Sequence, residues 1–264
     1  MPDLPAWRGL VLFDIDGTLL RAGDRDHQAA FVAAMQQVYG VPATLDGVPL
    51  AGMLDSQIAR LALARHGLTA EAIAARLPAM MALMGERYAA AVARGSRRDH
   101  VLPGVRRLAA RLRAEGFALG VLTGNAEAVA RAKLAAAGLA DLFPVGAYGD
   151  AAWERGHLVA AAQAAAREHY GADVDGARPI LVGDTPHDIA AARVAGARVL
   201  AVATGRYGVD ELAAHGPDAV LPDLGDVAAA LDALRAMAGP ARYDRERVTP
   251  AACRRVLDLG ETDR

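Results

Sequence analysis

Asp14 and Asp16 are the first residues of the sequence whose types and spacing suggest chemistry. They follow a short apolar run at residues 10–13, a pattern typical of a strand buried on both faces. Side chains two residues apart in an extended segment point the same way, so the two carboxylates reach one small volume. Since like charges so close repel each other, we expect a divalent cation, Mg²⁺, between them. The following Gly17 allows an unusual backbone angle, which leaves peptide N–H groups free to donate to an anion.

A second pair of carboxylates, Asp184 and Asp188, follows a predicted strand at residues 179–182. Thr185 is a typical helix N-cap, which places Asp188 in the first turn of the next helix. In a parallel sheet this strand end can lie beside the end of the first strand. The resulting acidic cluster would contain Asp14, Asp16, Asp184 and Asp188. Four carboxylates without a cation between them would be unstable, so the cluster implies a bound metal ion.

A third group, Thr123, Gly124 and Asn125, follows a predicted strand at residues 118–122 and precedes a predicted helix at 126–137. A hydroxyl, free backbone N–H groups and a helix N-terminus together form an anion site. The charge and size of a phosphoryl group suit such a site. We therefore interpret these three residues as a candidate phosphate site.

Predicted strands alternate with amphipathic, alanine-rich helices over most of the chain. The strands are predicted at residues 10–13, 118–122, 179–182, 199–202 and 219–221. The helices are predicted at residues 105–114, 126–137, 157–169, 187–195 and 227–236. This order favours an α/β fold with a Rossmann-like, three-layer α/β/α core around a parallel sheet.

One region interrupts the alternation, because residues 21–98 show helical periodicity and no convincing strand. We predict an inserted α-helical cap domain there, with Thr69 capping one of its helices. The α/β core would then consist of residues 1–20 and 99–239. After residue 239 the composition becomes strongly charged, which predicts a loosely attached C-terminal tail at 240–264.

Composition excludes several classes of protein. The chain has 264 residues, of which 53% are apolar and 23% charged, with a net charge of −2. A near-neutral charge argues against a nucleic-acid partner held by phosphate contacts. Cys253 is the only cysteine, so no disulfide forms within the chain and a cytoplasmic location is expected. No run approaches the roughly 18 apolar residues needed to span a bilayer, so no membrane partner is expected.

In order and spacing, the three groups resemble the motifs of the haloacid dehalogenase-like hydrolase superfamily. They are most similar to its phosphoglycolate phosphatase-like branch, which carries a helical cap between the first and second motifs. The resemblance spans about residues 10–235. It implies that Asp14 is a nucleophile that forms an aspartyl-phosphate. It also implies that Asp16 first protonates the leaving group and then acts as the base for water.

The same resemblance implies the binding roles of the other residues. Asp14, the main-chain carbonyl of Asp16 and Asp184 would hold Mg²⁺, and Asp188 would support the metal from behind. Thr123 and the amides that follow it would bind the phosphate. These roles make the protein resemble a phosphatase of small phosphorylated metabolites.

The sequence departs from the family at one motif. The family normally has a lysine between the phosphate-site motif at Thr123 and the acidic motif at Asp184 and Asp188, and this sequence has none at the expected place. Lys133, the only lysine in the chain, lies ten residues after Thr123 within the following helix, so we expect it to be poorly placed. Arg155 lies at the expected place before the next predicted helix. Its guanidinium could bridge Asp14 and the phosphate, since arginine keeps the charge and adds a bidentate fork.

We therefore predict a Mg²⁺-dependent phosphatase acting on a small phosphorylated metabolite, either phosphoglycolate-like or a sugar phosphate. Two alternatives stay open: a β-phosphoglucomutase-like phosphomutase, and a non-catalytic, phosphorylatable regulatory module. We expect His27 to be a surface or interface histidine. Gly52 and Asp55 are equally compatible with structural turn residues and with a loop that covers the site.

Overall fold

The computed structural model describes residues 7–93, 95–150, 154–171, 174 and 178–238. Its strands are β1 (Gly9–Phe13), β2 (Phe117–Leu122), β3 (Val145–Ala147), β4 (Ile180–Gly183), β5 (Arg198–Val202) and β6 (Ala219–Leu221). Within the described residues they form one parallel sheet in the order β3-β2-β1-β4-β5-β6. β1, β2 and β4 are buried along their whole length, as central strands of a sheet covered on both faces must be.

Helices cover both faces of the sheet. They are α1 (Arg25–Tyr39), α2 (Asp55–Ala64), α3 (Ala70–Val92), α4 (Val105–Ala114), α5 (Glu127–Ala136), α6 (Arg155–Tyr170), α7 (Pro186–Val194), α8 (Val209–Ala214) and α9 (Val227–Ala238). In β1, Val11 and Phe13 face a buried apolar cluster with α4 and α9, whereas Leu10 and Leu12 face another with α6 and α7. This alternation follows from the two-residue period of a strand. The predicted three-layer α/β/α core is confirmed.

Two elements of this core are absent from the sequence-based prediction. β3 is only three residues long and contains Gly146, so it carries no pattern that distinguishes a strand from a loop. It forms because its backbone pairs with β2, from Gly120 opposite Val145 onward. α8 has six residues, which is too short for a helical period to show.

The helices α1, α2 and α3 lie between β1 and β2 in the chain, and we call residues 25–92 the helical insertion. Thr69 caps α3 as predicted, its hydroxyl accepting a hydrogen bond from the Ala72 N–H at 3.2 Å. The buried apolar side chains of the insertion, except Leu54, form one cluster that also includes Ala126 and Val129 at the start of α5. The insertion therefore shares its core with a helix of the α/β part, and the domain boundaries at residues 20 and 98 stay predictions.

Two further predictions concern the ends and the surface of the chain. The predicted C-terminal tail and Cys253 lie outside the described residues. In the described part, no helix combines the length and the hydropathy that a membrane crossing requires.

Candidate active site

The sheet order brings together the ends of three strands. β1 lies between β2 and β4, so Asp14, Thr123 and Asp184, which follow these strands, are neighbours at one edge of the sheet. The Asp14 N–H donates to the Val182 carbonyl at 2.8 Å, which extends the ladder to the site. All three side chains are buried. The structure thus brings these strand ends together, as predicted. Open parallel sheets bind ligands at this edge.

Three of the four predicted aspartates form a compact acidic cluster. Asp14, Asp184 and Asp188 each place a carboxylate oxygen within 4.8 Å of the others. Asp188 is held in the first turn of α7, where it accepts hydrogen bonds from the Thr185 N–H at 3.1 Å and the Thr185 hydroxyl at 2.7 Å. Such a buried set of carboxylate oxygens fits a hard divalent cation.

The electrostatics of the cluster also call for a cation. Burial raises the pKa of Asp14 to about 7, and repulsion from Asp188 adds to this, against the lowering effect of Arg155. Burial, together with repulsion from Asp14 and Asp188, raises the pKa of Asp184 to about 8. The backbone leaves Asp184 little room, because a Cβ on Gly17 would lie 2.3 Å from its Oδ2. Gly17 itself has a φ of +92°, so both the conformation and the close approach require glycine.

The carboxylate of Asp16 does not join this cluster, and in this respect the predicted group of four is wrong. Both of its oxygens accept hydrogen bonds from the Lys133 ammonium, at 2.7 and 2.6 Å. Asn125 Nδ2 also donates to Asp16 Oδ2, at 2.7 Å. Burial would raise the pKa of Asp16, but the Lys133 and His27 side chains lower it below its usual value. The main-chain carbonyl of Asp16 stays the predicted metal ligand.

The expectation that Lys133 is poorly placed is also wrong. Its side chain is 1% exposed, and Nζ donates to Asn125 Oδ1 at 3.0 Å in addition to Asp16. Side chains on a helix tilt toward its N-terminus, and a long lysine two turns into α5 therefore reaches back to the strand end. The signal that could have revealed it is its isolation: this is the only lysine in a chain that otherwise uses arginine.

Arg155 occupies the place that the sequence suggested for the missing family lysine. It is the first residue of α6 and is 8% exposed. Its Nη2 donates to Asp14 Oδ1 at 2.9 Å and to Asp188 Oδ1 at 2.6 Å. Its Nη1 donates to the Gly52 carbonyl at 3.2 Å, whereas its buried Nε has no partner among the described residues. The guanidinium thus offsets the negative charge of the nucleophile candidate.

The loop before α2 lies directly on this site. The Asp55 N–H donates to the Gly124 carbonyl at 2.8 Å, and Asp55 Oδ2 accepts from the Ala126 N–H at 2.8 Å. A Cβ on Gly124 would lie 2.1 Å from the Met53 carbonyl oxygen, so the two backbones touch. For Gly52 and Asp55, which the sequence left open, the structure gives positions against the site.

Of the two positions expected for His27, surface or interface, the structure shows the interface. Its side chain is 13% exposed, with Nδ1 lying 3.3 Å from Lys133 Nζ and Nε2 lying 3.3 Å from Asp55 Oδ2. No sequence pattern indicates these contacts, because they join α1, α2 and α5 across long stretches of chain. His27 therefore belongs to the wall that the helical insertion contributes to the site.

A cavity of about 240 Å³ lies between the strand ends and the helical insertion. Its polar floor is formed by Asp14, Asp16, Thr123, Asn125, Arg155 and Asp184. The insertion supplies mainly apolar walls from Phe31, Leu45, Leu50, Met53 and Ile58. The Thr123 hydroxyl oxygen accepts from Asn125 Nδ2 at 2.8 Å, which leaves its hydrogen to donate to a ligand. Carboxylates, cationic side chains and neutral donors thus face one small space.

The sequence is similar to those of known proteins. Residues 11–193, more than half of the chain, match the family model described as haloacid dehalogenase-like hydrolase. A plasmid-encoded phosphoglycolate phosphatase of Cupriavidus necator is 33% identical over 234 residues, which are 88% of this chain and 94% of that relative.

Two solved structures share the fold. CbbY from Rhodobacter sphaeroides in complex with phosphate has a TM-score of 0.62 at 23% identity, covering 85% of this chain and 99% of its own. β-Phosphoglucomutase from Clostridium difficile has a TM-score of 0.58 at 14% identity, covering 83% and 92%. The family match and the nearly full-length relative show that this chain belongs to the haloacid dehalogenase-like hydrolases.

Proposed function

We propose that the protein is a Mg²⁺-dependent phosphatase that hydrolyses a small phosphorylated metabolite through an aspartyl-phosphate on Asp14. The observation that carries this proposal is the position of the Asp14 carboxylate. It lies within the acidic cluster, accepts a hydrogen bond from Arg155 at 2.9 Å, and faces the same cavity as Thr123. A carboxylate can attack phosphorus only where cations offset the repulsion between the two anions.

In the first step, an Asp14 oxygen attacks phosphorus and the bond from phosphorus to the leaving oxygen breaks. Asp16 acts here in its protonated form and gives its proton to that leaving oxygen. Arg155 and the Thr123 hydroxyl donate to the oxygens of the phosphoryl group during this transfer. In the second step, the Asp16 carboxylate takes a proton from water, whose oxygen attacks phosphorus. The bond from phosphorus to Asp14 then breaks, which releases phosphate, restores the Asp14 carboxylate and leaves Asp16 protonated for the next cycle.

The residues that would hold Mg²⁺ are Asp14 and Asp184, with the main-chain carbonyl of Asp16. Asp188 would orient this set through its contacts with Arg155 and Thr185. When bound, Mg²⁺ supplies positive charge that lowers the repulsion between the Asp14 carboxylate and the phosphoryl oxygens. The buried carboxylate cluster supports this proposal.

The cavity supports a small substrate. A volume of about 240 Å³ accommodates a phosphoryl group with a few further heavy atoms. The relative named phosphoglycolate phosphatase makes phosphoglycolate the first candidate, followed by a small sugar phosphate. We propose that the helical insertion acts as a cap, which admits the substrate when open and excludes bulk water when closed. A cytoplasmic enzyme is consistent with a single cysteine in the chain.

The test is phosphate release from a panel of small phosphate esters, with excess Mg²⁺ or with EDTA. Asp14→Asn is compared with the wild type, since it removes the nucleophile and keeps the shape of the side chain. We expect release that needs Mg²⁺ and that falls by at least about a thousandfold in Asp14→Asn. Far-UV circular dichroism of the variant should be unchanged.

Three results would contradict the proposal. Wild-type activity in Asp14→Asn would exclude the aspartyl-phosphate mechanism. An isomerised sugar phosphate in place of free phosphate would favour the phosphomutase. A long-lived phosphorylated protein without release of phosphate would favour the regulatory module, although such a module has no need of an acid at Asp16.

A further inference from the structure

The buried ammonium of Lys133 has no role in the mechanism described so far. The side chain is 1% exposed and lines the cavity, and Nζ donates to both carboxylate oxygens of Asp16. Burying an ammonium is costly unless it is paired and hydrogen-bonded. The buried ammonium, with its high desolvation cost, thus contacts one specific carboxylate, the candidate acid and base.

The neighbouring groups fix the position of that ammonium. Asn125 Oδ1 accepts from Lys133 Nζ at 3.0 Å, while Asn125 Nδ2 donates to Asp16 Oδ2 at 2.7 Å. Asn125 Nδ2 also donates to the Thr123 hydroxyl oxygen at 2.8 Å. One hydrogen-bonded network therefore joins the candidate acid and base to the phosphate site, through Lys133, Asp16, Asn125 and Thr123.

The helical insertion closes the network from the opposite side. His27 Nδ1 lies 3.3 Å from Lys133 Nζ, and the Tyr88 ring centre lies 5.9 Å from it. The Tyr88 hydroxyl donates to Asp24 Oδ2 at 2.6 Å, which holds the ring in place. These groups leave Nζ little freedom to point elsewhere. A compact ammonium fits this space, whereas a planar guanidinium is larger and needs a wider set of partners.

We propose that Lys133 is a positioning residue that holds the Asp16 carboxylate toward the leaving-group oxygen and the attacking water. This inference rests on the proposed phosphatase function. General acid and base catalysis requires a heavy-atom distance of about 2.6–3.2 Å to the reacting oxygen. The Asp16 side chain is 29% exposed, so without Lys133 its carboxylate keeps, among the described residues, only the hydrogen bond from Asn125 and gains freedom to turn within the cavity. Lys133 acts through Asp16 and does not contact the phosphoryl group.

The test compares Lys133→Met with Asp16→Asn, with the double variant and with Arg131→Met. Arg131 lies on the same helix, is largely exposed and is paired with Glu127, so it is a matched control for loss of a positive charge. Two substrates separate the roles: 4-nitrophenyl phosphate, whose leaving group departs without a proton, and phosphoglycolate, whose leaving group needs one. Thermal midpoints identify any variant that fails to fold, in which case Lys133→Gln replaces Lys133→Met.

We expect Lys133→Met to lower kcat for phosphoglycolate by about a hundredfold, within the usual range for general acid–base catalysis. The KM should change by less than about threefold. With 4-nitrophenyl phosphate, Lys133→Met should release one nitrophenolate per enzyme in a burst, because only the later attack of water on the aspartyl-phosphate still needs Asp16. The double variant should be no slower than Asp16→Asn alone, since the two residues act as one unit.

Three results would overturn the inference. The first is an equal loss of the phosphorylation step with both substrates, which indicates a general structural effect. The second is a raised KM with unchanged kcat, which indicates that Lys133 binds the phosphoryl group. The third is a double variant slower than Asp16→Asn by the full factor of Lys133→Met. Failure of the proposed function itself would appear separately, as a wild type that releases no phosphate.

Discussion

Replacing Arg155 by methionine tests the electrostatic design of the site most directly. Methionine keeps the unbranched apolar part of the side chain and removes the guanidinium. The change deletes the hydrogen bonds to Asp14 at 2.9 Å and to Asp188 at 2.6 Å. Two buried carboxylates, which lie within 4.8 Å of each other in the acidic cluster, then face each other without the cation between them.

The magnitude follows from the burial of these partners. Arg155 and Asp14 are each 8% exposed at the side chain and Asp188 is 2% exposed, so solvent screens the interaction poorly. Removing one partner of a buried ion pair costs about 3–5 kcal/mol because it leaves uncompensated charge. We expect Arg155→Met to lower the free energy of unfolding by about that amount in EDTA. Excess Mg²⁺ should raise the free energy of unfolding of the variant by more than it raises that of the wild type, since the acidic cluster of the variant is more negative.

The assay is urea unfolding followed by far-UV circular dichroism at neutral pH, in EDTA and in excess Mg²⁺. Arg131→Met is the control, because its exposed pair with Glu127 contributes less than about 0.5 kcal/mol. The reasoning is refuted if Arg155→Met stays within about 1 kcal/mol of the wild type in EDTA. It is also refuted if Mg²⁺ stabilises both proteins equally.

Two further predictions concern pH and the insertion loop. Because the folded pKa of Asp14 is raised to about 7 and that of Asp184 to about 8, the folded state binds more protons than the unfolded chain above about pH 4. The free energy of unfolding in EDTA should therefore fall as pH rises from about 5 to 8. In excess Mg²⁺ it should depend much less on pH, and a profile that rises with pH in EDTA would contradict this. Gly124→Ala places a Cβ 2.1 Å from the Met53 carbonyl oxygen, so it should displace the loop and lower kcat/KM at least about tenfold with unchanged circular dichroism. Gly95→Ala, whose Cβ would have no atom within 4 Å, is the control, and equal activity of the two variants would contradict the prediction.

The part of the site that the sequence predicts is the part that strand ends determine. Asp14, Thr123 and Asp184 each follow an apolar run, and a parallel sheet necessarily places such residues along one edge. The position of Arg155 before a predicted helix indicates its role, and its side chain lies beside Asp14. For these residues, the local sequence pattern and the parallel topology are enough to predict their positions in the site.

The remaining contacts depend on side-chain reach between elements that are distant in sequence. Lys133 meets Asp16 across 117 residues, and only the relative position of α5 and β1 decides that they touch. His27 and Asp55 meet because the starts of α1 and α2 lie side by side, which no local period indicates. The sequence does not indicate β3 for a related reason, since pairing with its neighbour β2 makes it a strand.

The apolar core shared by the helical insertion and α5 limits how this enzyme can exchange parts with its relatives. Ala126 and Val129 are buried among insertion side chains, and a Cβ on Gly85 of α3 would lie 2.3 Å from the Ala128 Cβ. A foreign insertion grafted between β1 and β2 would meet an α5 surface shaped for another partner. Recombination that separates the insertion from α5 would therefore replace these buried contacts with mismatched surfaces.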